Sequence, residues 1–173
     1  MDKKDVAGCR LQVAGCRFLV YLTSLVLGLV SCILYLELMY CHETKIRVRY
    51  GETDTMGYVY YGHYATYYEV GRTEMIRELG LTYRSLEESG FFLPVVHLEC
   101  RYLKPARYDD LLTVRTTILE MPTARIRFGY EIFNESGEKI NEGQTSLVFT
   151  NRISRRPTRP PDVLVDALKP YYK

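Results

Sequence analysis

The chain has 173 residues and a formal net charge of +2, with 16 tyrosines and no tryptophan. That length supports one domain with a single sizeable core, and the near-neutral balance excludes nucleic acid as the main partner, because phosphate binding needs a net basic face. The five cysteines show no CxxC or Cys/His zinc spacing, so no metal and no cofactor is expected; from residue 42 onward only Cys100 remains, which suits a reducing, cytoplasmic setting.

Residues 1–41 differ from the rest. Residues 18–36, "FLVYLTSLVLGLVSCILYL", form an uncharged apolar run of about the length that a membrane span requires. Lys3, Lys4, Arg10 and Arg17 precede it, the pattern of an inner-membrane anchor with its amino end inside. A cleavable signal peptide fits less well, since the run is long and no small-x-small site follows. The preceding stretch, "VAGCRLQVAGCR" (Val6 to Arg17), repeats with a period of seven residues. That period is too short for a solenoid unit, and the pattern is not an amphipathic heptad. The tandem heptanucleotide GTTGCAG translates to VAGCRLQ and then restarts, so translated repetitive DNA accounts for every letter. On that reading the start is misplaced and Met39 begins the protein.

From residue 42 the pattern becomes that of a folded domain, expected to span 42–152, with 153–173 as a basic, proline-rich tail. "TKIRVRY" (Thr44 to Tyr50) alternates Ile46, Val48 and Tyr50 with Lys45, Arg47 and Arg49, a half-buried strand. After the turn "GETDTMG", residues Tyr61, Tyr64, Ala65, Tyr68, Met75, Ile76 and Leu79 recur at helical spacing, interrupted by Arg72. This predicts one helix of about five turns, stopped by Gly80, and Thr82 can cap a short second one, "YRSLEES".

Four further strands are predicted. Phe92–Lys104 places Val96, Leu98, Cys100 and Tyr102 on one face; Leu111–Glu120 and Ala124–Phe133 alternate; and "NESG" turns the chain into Glu138–Thr150. "NRISRRPTRPPD" reads as an extended exit, and "VLVDALKPYYK" as a short helix. Short connections make antiparallel pairing of these strands the expectation. One helix against such a sheet is an α+β arrangement, and the uncovered apolar surface or strand edge should drive dimerisation.

The motif and the order of elements meet in "RVRYGETDTMGYVYYGHYATYYEVGRTEMIRELG" and "ECRYLKPARYDDLLTVRT". These resemble the hotdog-fold acyl-CoA thioesterases of the 4-hydroxybenzoyl-CoA thioesterase type. The family reads roughly R-x-x-[DE]-x-D-xx-G-x-[VI]-x-[YN] before an aromatic-rich helix, then Y-x-x-P-[AL]-xx-x-D. The resemblance covers residues 42 to about 152. It implies a hotdog fold, an antiparallel sheet of about five strands wrapped around one long helix, and hydrolysis of an acyl-CoA to free acid and CoA by a homodimer or homotetramer. It places the catalytic carboxylate at Asp54, and at Tyr61, seven residues on, a backbone N–H that points at the thioester carbonyl. Some relatives carry histidine at the Tyr61 position; here the nearest histidine is His63.

The chemistry suits these residues. Asp54 can serve as general base, or as nucleophile through a mixed anhydride. Unpaired N–H groups at a helix amino end favour an oxyanion. Gly57 permits a tight turn and leaves the backbone open, and Gly57, Tyr58, Val59 and Tyr60 form the expected substrate-binding stretch, with Tyr58 and Tyr60 lining the acyl pocket. The plainer reading of Asp54 is a helix cap or turn residue. Glu52 reads as a solvated turn residue and Glu69 as an ion-pair partner of Arg72, although a helix carboxylate is the base in another hotdog branch. His63 and His97 read as packing or polar-face residues. Arg125, Arg127, Lys104, Arg107, Arg152, Arg155 and Arg156 are cations available to the CoA phosphates by charge alone. The rival functions are an acyl-carrier-protein thioesterase and a non-catalytic acyl-CoA or lipid-binding module, membrane-associated only if the apolar run is real. A dehydratase is disfavoured, because it would need a histidine paired with an acid.

Overall fold

The structure, a computed structural model, describes residues 39–172 together with the paired stretches Gln12–Val13 and Cys16–Arg17. The apolar run at 18–36, and with it the anchor and misplaced-start readings, lies outside the described residues. Among the described residues no helix is long and apolar enough to cross a membrane.

Period-2 alternation produces the sheet. The strands are β1 (Cys41–Arg47), β2 (Phe91–Phe92), β3 (Val95–Tyr102), β4 (Leu111–Ile118), β5 (Arg125–Phe133), β6 (Lys139–Val148) and β7 (Thr150–Asn151). Five of them form one antiparallel sheet in the order β1-β4-β5-β6-β3, and β2 pairs separately with β7. Leu112, Val114 and Ile118 of β4, and Ile126, Phe128, Tyr130 and Ile132 of β5, face inward and are buried. The outward face carries a charge row across all five strands, in the register Glu43–Arg115–Glu131–Glu142–Arg101. Arg115 pairs with Glu43 at 2.8 Å and Glu131 at 3.7 Å, and Lys139 sits between Glu131 and Glu142 at 3.1 and 2.7 Å. Each such exposed pair contributes at most about 1 kcal/mol; together they keep the two neighbouring glutamates from opposing each other bare.

The long helix α1 (His63–Glu78) buries Tyr64, Tyr67, Tyr68, Gly71, Arg72, Met75 and Ile76 against the sheet. Burial of each large apolar side chain contributes about 1.5–3 kcal/mol. Gly80, at φ +78°, ends it, with its N–H donating to the Arg77 carbonyl at 2.9 Å. The short α2 (Tyr83–Glu88) is capped as expected, the Thr82 hydroxyl accepting from Ser85 N at 3.0 Å. A third helix, α3 (Asp162–Leu168), sends Leu164 and Leu168 into the core, and the Tyr172 hydroxyl beyond it donates to the Ile118 carbonyl at 2.7 Å.

Three expectations are corrected. The helix begins at His63 rather than Tyr61, with Gly62 at its cap, because the Tyr60 N–H is already committed to the Glu52 carbonyl and keeps that residue in the hairpin. The first strand runs over Cys41–Arg47 instead of ending at Tyr50; Val48 then exchanges backbone bonds with Asp109 and Asp110, and Tyr50–Glu52 form a single 3-10 turn. The strand predicted from Phe92 to Lys104 is split at Pro94, which has no N–H to give a ladder. Its second part, β3, is the sheet edge. Val96, Leu98 and Tyr102 there are about half exposed, and of the expected face only Cys100 is partly covered.

Candidate active site

The turn "GETDTMGYVY" folds as a small hairpin. Tyr60 N donates to the Glu52 carbonyl at 2.9 Å, Thr53 bridges Val59, and Asp54 N donates to the Tyr58 carbonyl at 2.9 Å. Its tip is closed by Gly57 N donating to the Asp54 carbonyl and by Met56 N donating to Asp54 Oδ1, at 2.9 and 2.8 Å. Gly57 sits at φ +74°, which explains a glycine there. The loop crossing from β3 to β4 runs alongside: Val59 N donates to the Ala106 carbonyl at 2.9 Å, and the Arg107 guanidinium lies 4.9 Å over the Tyr58 ring.

Asp54 is half-buried and caps its own turn through Oδ1, while Oδ2 has no partner among the described residues. It is not the cap of α1; Gly62 holds that position. Past the hairpin base the chain enters α1 directly. Among the described residues the N–H groups of Tyr61 and Gly62 donate to no acceptor. The Tyr61 carbonyl, in contrast, is held by the Tyr102 hydroxyl of β3 at 3.2 Å. The amino end of α1 therefore offers free donors and the positive end of the helix dipole.

The other expected site residues divide. Tyr58 is half-buried beneath Arg107, and Tyr60 and Tyr61 are exposed with rings 4.4 Å apart. Val59 is buried in the core. Glu52, read as solvated, is only 5% exposed. Burial would raise its carboxyl pKa, but the Arg49 backbone N–H, the Arg49 guanidinium and the Tyr67 hydroxyl outweigh that and hold it below the usual range. Burial pushes the phenols of Tyr64, Tyr67 and Tyr102 up, helped by the Glu52 carboxylate at Tyr67 and by the Cys100 thiol at Tyr64 and Tyr102, so these are neutral hydrogen-bonding groups at physiological pH. Asp110 Oδ2 accepts from Arg107 N at 2.7 Å. Asp54 is thus the carboxylate of the hairpin with an oxygen left over.

Glu69 is exposed and 3.5 Å from Arg72, the ion pair expected of it. His63 opens α1, and His97 lies exposed on β3. Of the seven cations, Arg127 is paired with Glu120 at 2.8 Å and Lys104 is paired with Glu138. Arg152 and Arg155 lie over the Phe92 ring at 5.7 and 4.8 Å. Sequence reasoning assigned no role to Tyr102 or Tyr67. Tyr102 is the tyrosine of the Y-x-x-P motif, a signal present in the sequence; Tyr67 carried none beyond its place on the helix.

Residues 48–168 match the thioesterase-like superfamily. YneP of Bacillus subtilis is 36% identical over 119 residues, which are 69% of this chain and 86% of that protein. The acyl-CoA thioester hydrolase YbgC of Escherichia coli is 31% identical over 124 residues, 72% of this chain and 92% of YbgC. Among solved structures, a DHNA-CoA thioesterase from Staphylococcus aureus superposes with a TM-score of 0.72 at 34% identity, covering 75% of this chain and 89% of that one.

Proposed function

Because the chain belongs to the thioesterase-like superfamily and is a thioester hydrolase of the acyl-CoA class, we propose that Asp54 is its catalytic carboxylate and the amino end of α1 its oxyanion site. The observation that carries this is one continuous unit: a carboxylate with a free oxygen on a hairpin that leads into a helix start with unpaired N–H groups. As general base, Asp54 takes a proton from water, and the hydroxide adds to the thioester carbonyl. The N–H groups of Tyr61 and Gly62 receive the negative charge that develops on oxygen. Collapse re-forms the C=O bond and breaks the C–S bond; the CoA thiolate leaves and is protonated, and the acid is released. As nucleophile, Asp54 would form a mixed anhydride that water then cleaves. A general base typically contributes about 10²–10⁴-fold, and one oxyanion donor about 10²–10³-fold.

The half-exposed apolar side chains of the β3 edge, Val95, Val96, Leu98 and Tyr102, support a homodimer formed through that edge, with a tetramer as a dimer of dimers. Cys100 is a free thiol, in keeping with a cytoplasmic enzyme.

The test is Asp54→Asn assayed on hexanoyl-, palmitoyl- and benzoyl-CoA. Turnover should fall by about 10²-fold or more while acyl-CoA binding persists. Wild-type rates on this panel would remove Asp54 from the mechanism. Binding by the unaltered protein with no turnover on any ester would point to the non-catalytic module instead.

A further inference from the structure

We infer that Glu52, clasped by Arg49 and Tyr67, is a positioning residue that fixes the Asp54 hairpin against α1. The inference rests on the catalytic role proposed for Asp54. Glu52 lies in a segment whose neighbours Tyr50 and Gly51 are exposed, yet its own side chain is buried. Its carboxylate takes four contacts: Arg49 N at 2.8 Å, Arg49 Nε at 2.8 Å, Arg49 Nη2 at 2.6 Å and the Tyr67 hydroxyl at 2.9 Å.

A buried carboxylate is costly unless it is paired and hydrogen-bonded, and a simple turn after β1 needs no such group. The arrangement is better understood from what it joins. The Glu52 carbonyl accepts from Tyr60 N at 2.9 Å and so closes the hairpin base. Its side chain reaches Tyr67, which sits in the second turn of α1 and is 1% exposed. One residue therefore ties both the arm that carries Asp54 and the arm that runs into the free N–H groups of Tyr61 and Gly62 to the helix itself. Among the described residues the hairpin's backbone tie to the loop between β3 and β4 is Val59 N to the Ala106 carbonyl. With Glu52 released, the hairpin can pivot about Val59, and Asp54 shifts relative to the oxyanion donors. Misplacing a reacting group by about 1 Å can cost about 10²-fold in rate.

Glu52→Gln puts an amide N–H against a donor of Arg49, and Tyr67→Phe removes one hydroxyl while leaving the ring in the core. Both are to be made in the full chain and assayed on the same acyl-CoA panel. Rates are normalised to folded protein by thermal melting and far-ultraviolet circular dichroism. The expected result is a fall in kcat of about ten- to a hundredfold with KM unchanged, the smaller loss in Tyr67→Phe. Added to Asp54→Asn, neither change should lower the residual rate further, since no carboxylate remains to be held in register with the donors. A merely structural role would lower that residual rate by the same factor as in the unaltered enzyme, and would overturn the inference. So would wild-type kcat in both single variants while Asp54→Asn is inactive. Should Glu52→Gln fail to fold, Tyr67→Phe decides alone. Wild-type turnover by Asp54→Asn would instead sink the parent mechanism, a separate and recognisable outcome.

Discussion

Replacing Gly71 with alanine sets two effects of opposite sign against each other. Gly71 lies in the middle of α1, where alanine is ordinarily favoured by about 1 kcal/mol. Its position against the sheet opposes that gain. A Cβ there would stand 2.5 Å from Thr116 Oγ1 and 3.0 Å from Val114 Cγ1. Ordinary contact begins near 3.4 Å, so relief needs a shift of about 0.5–1 Å, and overpacking of this kind costs about 1–3 kcal/mol. Rotating Thr116 helps in only one of its two other rotamers, because the remaining one swaps the hydroxyl for a methyl. Val114, two residues along the same strand, would still press from its side. Packing should win, with a net loss of about 1 kcal/mol, or roughly 2–8 °C in melting temperature for a domain of this size. Urea unfolding followed by circular dichroism measures it. Because α1 carries the free N–H groups of Tyr61 and Gly62 at its amino end, lifting it from β4 should also lower kcat. Stabilisation of about 1 kcal/mol, as for an exposed helical glycine, would refute the close-approach argument.

Two further expectations concern the edge strand and acid. Leu98→Lys places a charge on the half-exposed β3 edge and should convert a dimer to monomer in size-exclusion chromatography with light scattering; a monomeric wild type, or a variant still dimeric, counts against pairing through β3. Glu52, held below its unfolded pKa of about 4.3, stabilises the fold above that value, and the contribution is lost as pH falls through the folded pKa. The urea midpoint of Glu52→Gln should therefore fall less steeply than that of the wild type below about pH 5, and parallel curves would show that the buried carboxylate has no such linkage.

What could be read in advance follows the range of the forces involved. The strands β4 to β6 were legible because alternation is local and each inward residue meets the same core. Strand ends were not. The first strand stops where Val48 meets Asp109 and Asp110, some sixty residues away, and the crossing from β3 to β4 cannot be inferred from its short loop, since β5 and β6 come between them in the sheet. The helix start was misjudged by two residues because the Glu52 carbonyl captures Tyr60 N, a tertiary event inside what looks like a simple turn.

Glu52 is the instructive failure, and it bears on the chemistry. Beside Gly51 in an exposed turn, an acid reads as solvated; only Tyr67, fifteen residues on, makes it an interior residue. The pattern [DE]-x-D then acquires a physical meaning. Two carboxylates stand two residues apart, and their surroundings push them to different fates. Glu52 has both oxygens spent on Arg49 and Tyr67, so it stays ionised and takes no proton from a substrate or water. Asp54 spends one oxygen on Met56 N and keeps the other. Were Glu52 solvated as first read, the hairpin would carry two interchangeable bases and no fixed geometry. Among the described residues, its capture by α1 leaves the hairpin one carboxylate oxygen without a partner, on a loop tied to the helix whose N–H groups are the proposed oxyanion donors.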